Sequence, residues 1–170
     1  MAQRMSFDYG LEKTTACFKR KYRWLMKIPG VSDEPIGALP PNKSARPSLA
    51  FKSMEAQHLH ETIFFPGKPD WKPVTLTLFD IKKNKHPVME WIKLMYEVDQ
   101  SSVKFKYATD GFKKEGKLEL YDGCGEIIER WIFENMYIEN ADFGELDHSD
   151  SSVVYVDLTI RYDRAYWEQV

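Results

Sequence analysis

Residues 74–79 read Val-Thr-Leu-Thr-Leu-Phe, apolar side chains alternating with hydroxyls. A period of two over so short a run predicts a strand with one buried face. Ahead of it, residues 64–73 (FFPGKPDWKP) carry a Pro-Gly-Pro break around Asp70 and Trp71, which predicts a sharp change of direction before the strand. Two other stretches alternate as strictly. In 21–28, Tyr22, Trp24, Met26 and Ile28 fall on one side and Lys21, Arg23 and Lys27 on the other, with Leu25 the exception. In 153–162, Val154, Val156, Leu158, Ile160 and Tyr162 face inward while Asp157, Thr159 and Arg161 face outward.

One stretch changes period. In 86–98, Val88, Trp91, Ile92, Met95 and Val98 form a single apolar stripe at helical spacing. Pro87 suits the first helical position, Lys93 can meet Glu97 one turn on, and 100–102 end the helix. A short strand is expected at 103–107, with Lys104 and Lys106 outward.

Residues 117–121 and 126–133 flank Asp122-Gly123-Cys124-Gly125, a hairpin turn signal. Pairing Tyr121 with Glu126 places Leu118, Leu120, Ile127, Trp131 and Phe133 on a packed face, with Glu129 a misfit. It places Lys117, Glu119, Tyr121, Glu126 and Arg130 on a wet face, with Ile128 a misfit. Taken alone, 126–141 also reads as a helix; the matched partner strand favours the hairpin. A second, longer hairpin is expected over 48–65, with polar residues 55–60 between its arms.

Other segments lack period. Residues 1–17 are mixed and polar and predict an arm that orders only against something else. Residues 29–47 are dense in Pro and Gly, which excludes a helix or a central strand. They are either an excursion that docks on a neighbour or a long surface loop. Residues 141–152 form an acidic loop without calcium-loop spacing. The closing Arg-Ala-Tyr-Trp-Glu, 164–168, is aromatic enough to cap a core or a subunit contact.

Composition narrows the class. At 170 residues, with 43% hydrophobic and 29% charged, the chain is one ordinary domain able to bury a core. A formal charge of −2 argues against a dedicated nucleic-acid binder, which needs many Lys/Arg–phosphate contacts. Cys17 and Cys124 permit one disulfide, but without ligand spacing or a secretory signal they read better as free thiols. No run approaches the apolar length of a membrane span, so no membrane association is expected.

Chemistry is sparse. His58 and His60 have no third ligand by spacing, so a metal is not expected. Gly123 and Gly125 are not followed by a helix and cannot cradle a phosphate at its N-terminus. Glu126 and Glu129 have no cleft to make them an acid–base pair, and no nucleophile or nucleotide motif is present. The reading is of a non-enzyme with no cofactor.

The order of these pieces resembles the tail tube protein family of contractile-tailed bacteriophages. The resemblance covers residues 18–168 and is carried by KYRWLMKIPG, ETIFFPGKPDWKPVTLTLFD, HPVMEWIKLMYEV, GKLELYDGCGEIIERWIFENMYIENADFGEL and VVYVDLTIRYDRAYWE. It implies a mainly β single domain, a β-sandwich or distorted barrel of two packed sheets with one edge helix, Pro-rich loop 29–47 and helix 86–98. It further implies that six copies form a ring and that rings stack into a hollow conduit inside a contractile sheath, passing DNA into the host. Implied partners are further copies, the sheath, baseplate and tail terminator proteins, and the tape measure protein and DNA, the last two in the lumen without specific binding. The implied location is the tail of a virion made in the host cytoplasm. The expected lumen-facing residues are Lys117, Glu119, Glu126, Arg130, Lys52, Glu55 and Glu61. The expected inter-subunit sheet and packing residues are Leu118, Leu120, Ile127, Trp131 and Phe133. A tube subunit of a type VI or extracellular contractile injection system, or a baseplate tube initiator, shares the same fold. A small ligand-binding barrel is the remaining alternative, and it predicts a monomer with an enclosed pocket.

Overall fold

A computed structural model describes residues 5–8, 13–16, 19–33, 39–58, 60–99, 102–105 and 111–168. In chain order the elements are β1 (Met5–Asp8), β2 (Lys13–Ala16), β3 (Trp24–Lys27), β4 (Pro41–Ser44), β5 (Ser48–His58), β6 (Glu61–Lys72), β7 (Val74–Phe79), α1 (Pro87–Met95), β8 (Tyr96–Asp99), β9 (Ser102–Phe105), β10 (Lys114–Tyr121), β11 (Ile127–Asp142), β12 (Tyr155–Arg161) and β13 (Arg164–Glu168). The main sheet runs β3-β10-β11-β12-β7-β4, with β13 also on β11, and every pairing is antiparallel. Its first half pairs β3, β10 and β13 around the start of β11, and its second pairs β12, β7 and β4 around the end. The turn between halves falls at Asn135, in the left-handed region at φ 55°, and at a register shift between Ile138 and Asn140. Two packed sheets thus share one long strand, with a single helix at the side among the described residues. The chain is mainly β.

Alternating side chains fill the space between the halves. Met26, Leu118, Phe133, Leu76, Leu158 and Ile160 are buried in one core. Tyr22, expected inward, is instead 72% exposed, because a turn closed by the Arg23 N–H to the Arg20 carbonyl delays the strand to Trp24. Residues 29–47 are not a plain surface loop where described. Val31 and Leu39 are fully buried, and β4 supplies an edge strand to β7, where Pro41 is tolerated. Residues 1–17 include the β1–β2 hairpin.

The helix starts as the sequence predicts, with Pro87 in the first turn and Val88 and Trp91 buried. It ends at Met95, short of 98, because Tyr96 turns extended and β8 pairs with β9. Tyr and Val favour a strand there over another helical turn. Lys93 therefore pairs back with Glu90 at 2.9 Å, while the Glu97 and Val98 side chains lie outside the description. Of the strand expected at 103–107, residues 106 and 107 also lie outside it.

The break expected at 64–73 is not one. β6 runs through Pro66, Gly67 and Pro69 and stops only at Pro73. Among the described residues β6 has β5 on one side only, so a proline lacking its N–H leaves no ladder bond unmade on the open side. The extra residue is absorbed by a bulge opposite Lys52, where a Cβ on Gly67 would sit 2.4 Å from the Lys52 carbonyl oxygen.

Candidate assembly surface

The β10–β11 hairpin forms, with its register one residue off the expected pairing at Tyr121, which faces Ile127, and two off from Leu120, which faces Glu129. Asp122 sets this. Its carboxylate accepts the N–H groups of Cys124 and Glu126, and its own N–H reaches the Glu126 carbonyl, so Glu126 belongs to the turn and Ile128 becomes the bulge.

Lys117 and Glu126 are exposed and Arg130 half-buried, but Glu119 is only 3% exposed. Lys27 on the neighbouring strand β3 lies 2.8 Å away, Arg130 Nε donates to it at 3.0 Å, and Tyr121 Oη donates at 2.6 Å. Burial pushes this carboxyl up, yet the hydrogen bonds from Lys27, Tyr121 and Arg130 outweigh it and hold it at about 2. Glu119 is therefore spent inside the subunit and presents no free charge. Alternation along one hairpin cannot reveal this, because Lys27 arrives from a strand far earlier in the chain.

Of the residues expected to pack between subunits, Leu118, Leu120 and Phe133 are buried in the chain's own core. Ile127 and Trp131 are partly covered, and Trp131 Nε1 donates to Glu129 at 2.6 Å. Glu129, the misfit, is 3% exposed and bonded also to Lys19. Burial raises it, and the bonds from Lys19 and Trp131 with the nearby Arg46 charge bring it below the usual carboxylate range.

The β5–β6 hairpin is different in kind. Among the described residues it pairs with no third strand. Phe51 and Phe64 are 58% and 62% exposed on one face, and Met54 and Phe65 are 58% and 49% exposed on the other. A two-stranded ribbon standing alone is marginal in water, and apolar side chains bare on both faces mark a surface that something covers. The register also separates the expected lumen charges. Lys52 and Glu61 share the Met54–Phe65 face, and Glu55, opposite Phe64, lies on the other. The sequence assigned these aromatics no face, because the adjacent Phe64 and Phe65 break any period of two.

Other candidate chemistry stays thin. No group of three His, Cys, Asp or Glu able to hold a metal occurs among the described residues, and the His58 side chain lies outside them. Cys124 is a free, exposed thiol at the hairpin tip; Cys17 lies outside the described residues. Among the described residues no helix is long and apolar enough to cross a membrane.

No protein-family model matches the sequence, and no curated protein matches it either. Solved structures do. A chain of the anti-feeding prophage cap, its tube-terminating cap, superposes with a TM-score of 0.70 at 17% identity, covering 96% of this chain and 97% of that one. A chain of the sheath–tube complex of the PVC extracellular contractile injection system gives 0.64 at 16% identity, covering 89% and 92%. Hcp1 from Flavobacterium johnsoniae gives 0.54 at 9% identity, covering 88% and 97%. The chain has the fold shared by the tube proteins of contractile injection systems.

Proposed function

We propose that this chain is a structural subunit of the tube of a contractile particle, either a bacteriophage tail or a related injection system. Six copies close a ring, rings stack into a hollow conduit, and a sheath surrounds it. The β5–β6 hairpin carries this reading: it is apolar on both faces and, among the described residues, has no third strand from its own chain. Hairpins from neighbouring copies, laid edge to edge, would supply the missing strands and cover those faces. Lys52, Glu61 and Glu55 then fall on opposite sides of that wall, and only one set faces the lumen. The remaining partners are a sheath protein, baseplate and terminator proteins, and a tape measure protein. Cargo passes without being held: DNA in a tail, protein in an injection system. In a tail the site of action is the virion, after synthesis in the host cytoplasm.

The test is the mass and shape of the purified protein, by light scattering and electron microscopy. Six-membered rings are expected. Phe51→Ser with Phe65→Ser, one from each face, should give monomers with an unchanged circular dichroism spectrum. A wild-type chain that remains monomeric sinks the proposal. The likeness to the anti-feeding prophage cap favours a second reading, a ring that ends the tube; single rings that never stack would favour it.

A further inference from the structure

The main sheet does not close. Its outer strands β3 and β4 approach each other without pairing, and a cavity of about 630 Å³ lies in the seam between them. Trp24, Leu118 and Leu120 form its apolar floor, and its rim is basic: Lys19, Arg20 and Lys21 ahead of β3, Lys43 and Arg46 on the β4 side. Glu129 answers Lys19 directly and Arg46 at 3.9 Å. Arg20, Lys21 and Lys43 have no ion pair among the described residues. Among the described residues, two unpaired strand edges and uncompensated cations over an apolar floor make an unfinished surface.

The complementary piece is the acidic loop 143–151, which joins β11 to β12. Leu146 at the loop's tip is 87% exposed, between Glu145 and Asp147. Asp147 bonds the N–H and hydroxyl of Ser149, and Asp150 those of Ser152, which fixes the loop's turns and holds both carboxyls below their usual range.

We propose that the acidic loop 143–151 of one copy docks into the basic seam between β3 and β4 of a second copy, Leu146 on the Trp24–Leu118–Leu120 floor and Glu145 and Asp147 against Arg20 and Lys43. The inference rests on the tube-subunit reading and supplies its axial contact. Socket and plug are different surfaces of the chain, so the contact is heterologous, and placed along the ring axis it does not close on itself. Such a contact builds an open stack. Charge pairing at the rim also makes the stack weaken as salt is raised.

Arg20→Glu with Lys43→Glu reverses the socket and spares the Lys19 and Arg46 contacts to Glu129; Glu145→Lys with Asp147→Lys reverses the plug. Each pair alone should leave single rings and cut the sedimentable, stacked fraction by about tenfold or more. The two pairs combined, or an equal mixture of the two reversed proteins, should restore stacks. Single reversals that stack normally overturn the proposal, as does a combined variant that folds but stays unstacked, or wild-type rings that never stack. If no rings form at all, the tube reading fails separately, and a synthetic peptide of residues 141–152 titrated into the full chain decides this one. Saturable change in tryptophan fluorescence, lost with Arg20→Glu and Lys43→Glu, supports it. No binding, or a seam that takes a short DNA duplex and ignores the peptide, overturns it.

Discussion

Glu119 and Glu129 are nearly removed from water on opposite faces of the β10–β11 hairpin, each held by cations from distant parts of the chain. Removing one partner of such a pair strands the others, so Glu119→Gln should cost about 2 kcal/mol in urea unfolding at pH 7. Its pH dependence has a definite sign. The folded carboxyl titrates at about 2, below its ordinary 4.5, so its stabilisation is complete above 4.5 and fades as pH falls towards 2. The gap in urea midpoint between wild type and Glu119→Gln should therefore narrow over that window, and a gap constant with pH would contradict the assignment. Sequence placed Glu119 on the wet side because alternation reports which way a side chain points. It does not report what lies beyond it, and here Lys27 and Arg130 close over the carboxylate.

At the scale of elements, the legible parts were those whose one buried face rests on the main sheet. β12 and β7 alternate without exception because both of their edges are paired and slippage by one residue would turn Leu158 or Leu76 into water. β6 was illegible for the converse reason: with one partner strand it tolerates Pro66 and Pro69, residues that normally argue against a strand. Its dependence on the bulge predicts that Gly67→Ala costs about 1–3 kcal/mol and raises amide exchange across residues 48–72, leaving β12 protected. The helix start was legible from Pro87 and its apolar stripe, and its end was not, because β9 competes for residues 96–99. Trp91 fixes α1 to the sheet both by burial and by an Nε1 hydrogen bond to the Phe112 carbonyl at 2.7 Å. Trp91→Phe keeps most of the packing and loses the bond, for about 1–2 kcal/mol; Trp91→Ala loses both, for about 3–5 kcal/mol, each read as a shift in urea midpoint.

For the whole molecule, the periods gave individual strands and a helix, and the resemblance to tail tube proteins implied the two-sheet fold with its edge helix, whereas the assembly surfaces were not legible. The seam is made by β3 and β4, strands adjacent in no pairing, and only the curl of the full sheet brings Arg20 and Lys43 to one cavity. In the proposed ring, the bare β5–β6 ribbon would make stability a collective property. Association that covers it stabilises the folded state by mass action, so the wild-type melting temperature should rise with protein concentration, while the Phe51→Ser, Phe65→Ser variant should melt at a fixed temperature.

The strand that belongs to both sheets has a mechanical corollary. β11 passes the bend at Asn135 without interruption, so neither half can come apart without dragging the other's central strand out of register. Heating a ring-deficient variant should therefore give one calorimetric peak for the entire sandwich. A pull applied to one sheet is borne by the other, a trait that suits the proposed place within a shortening sleeve.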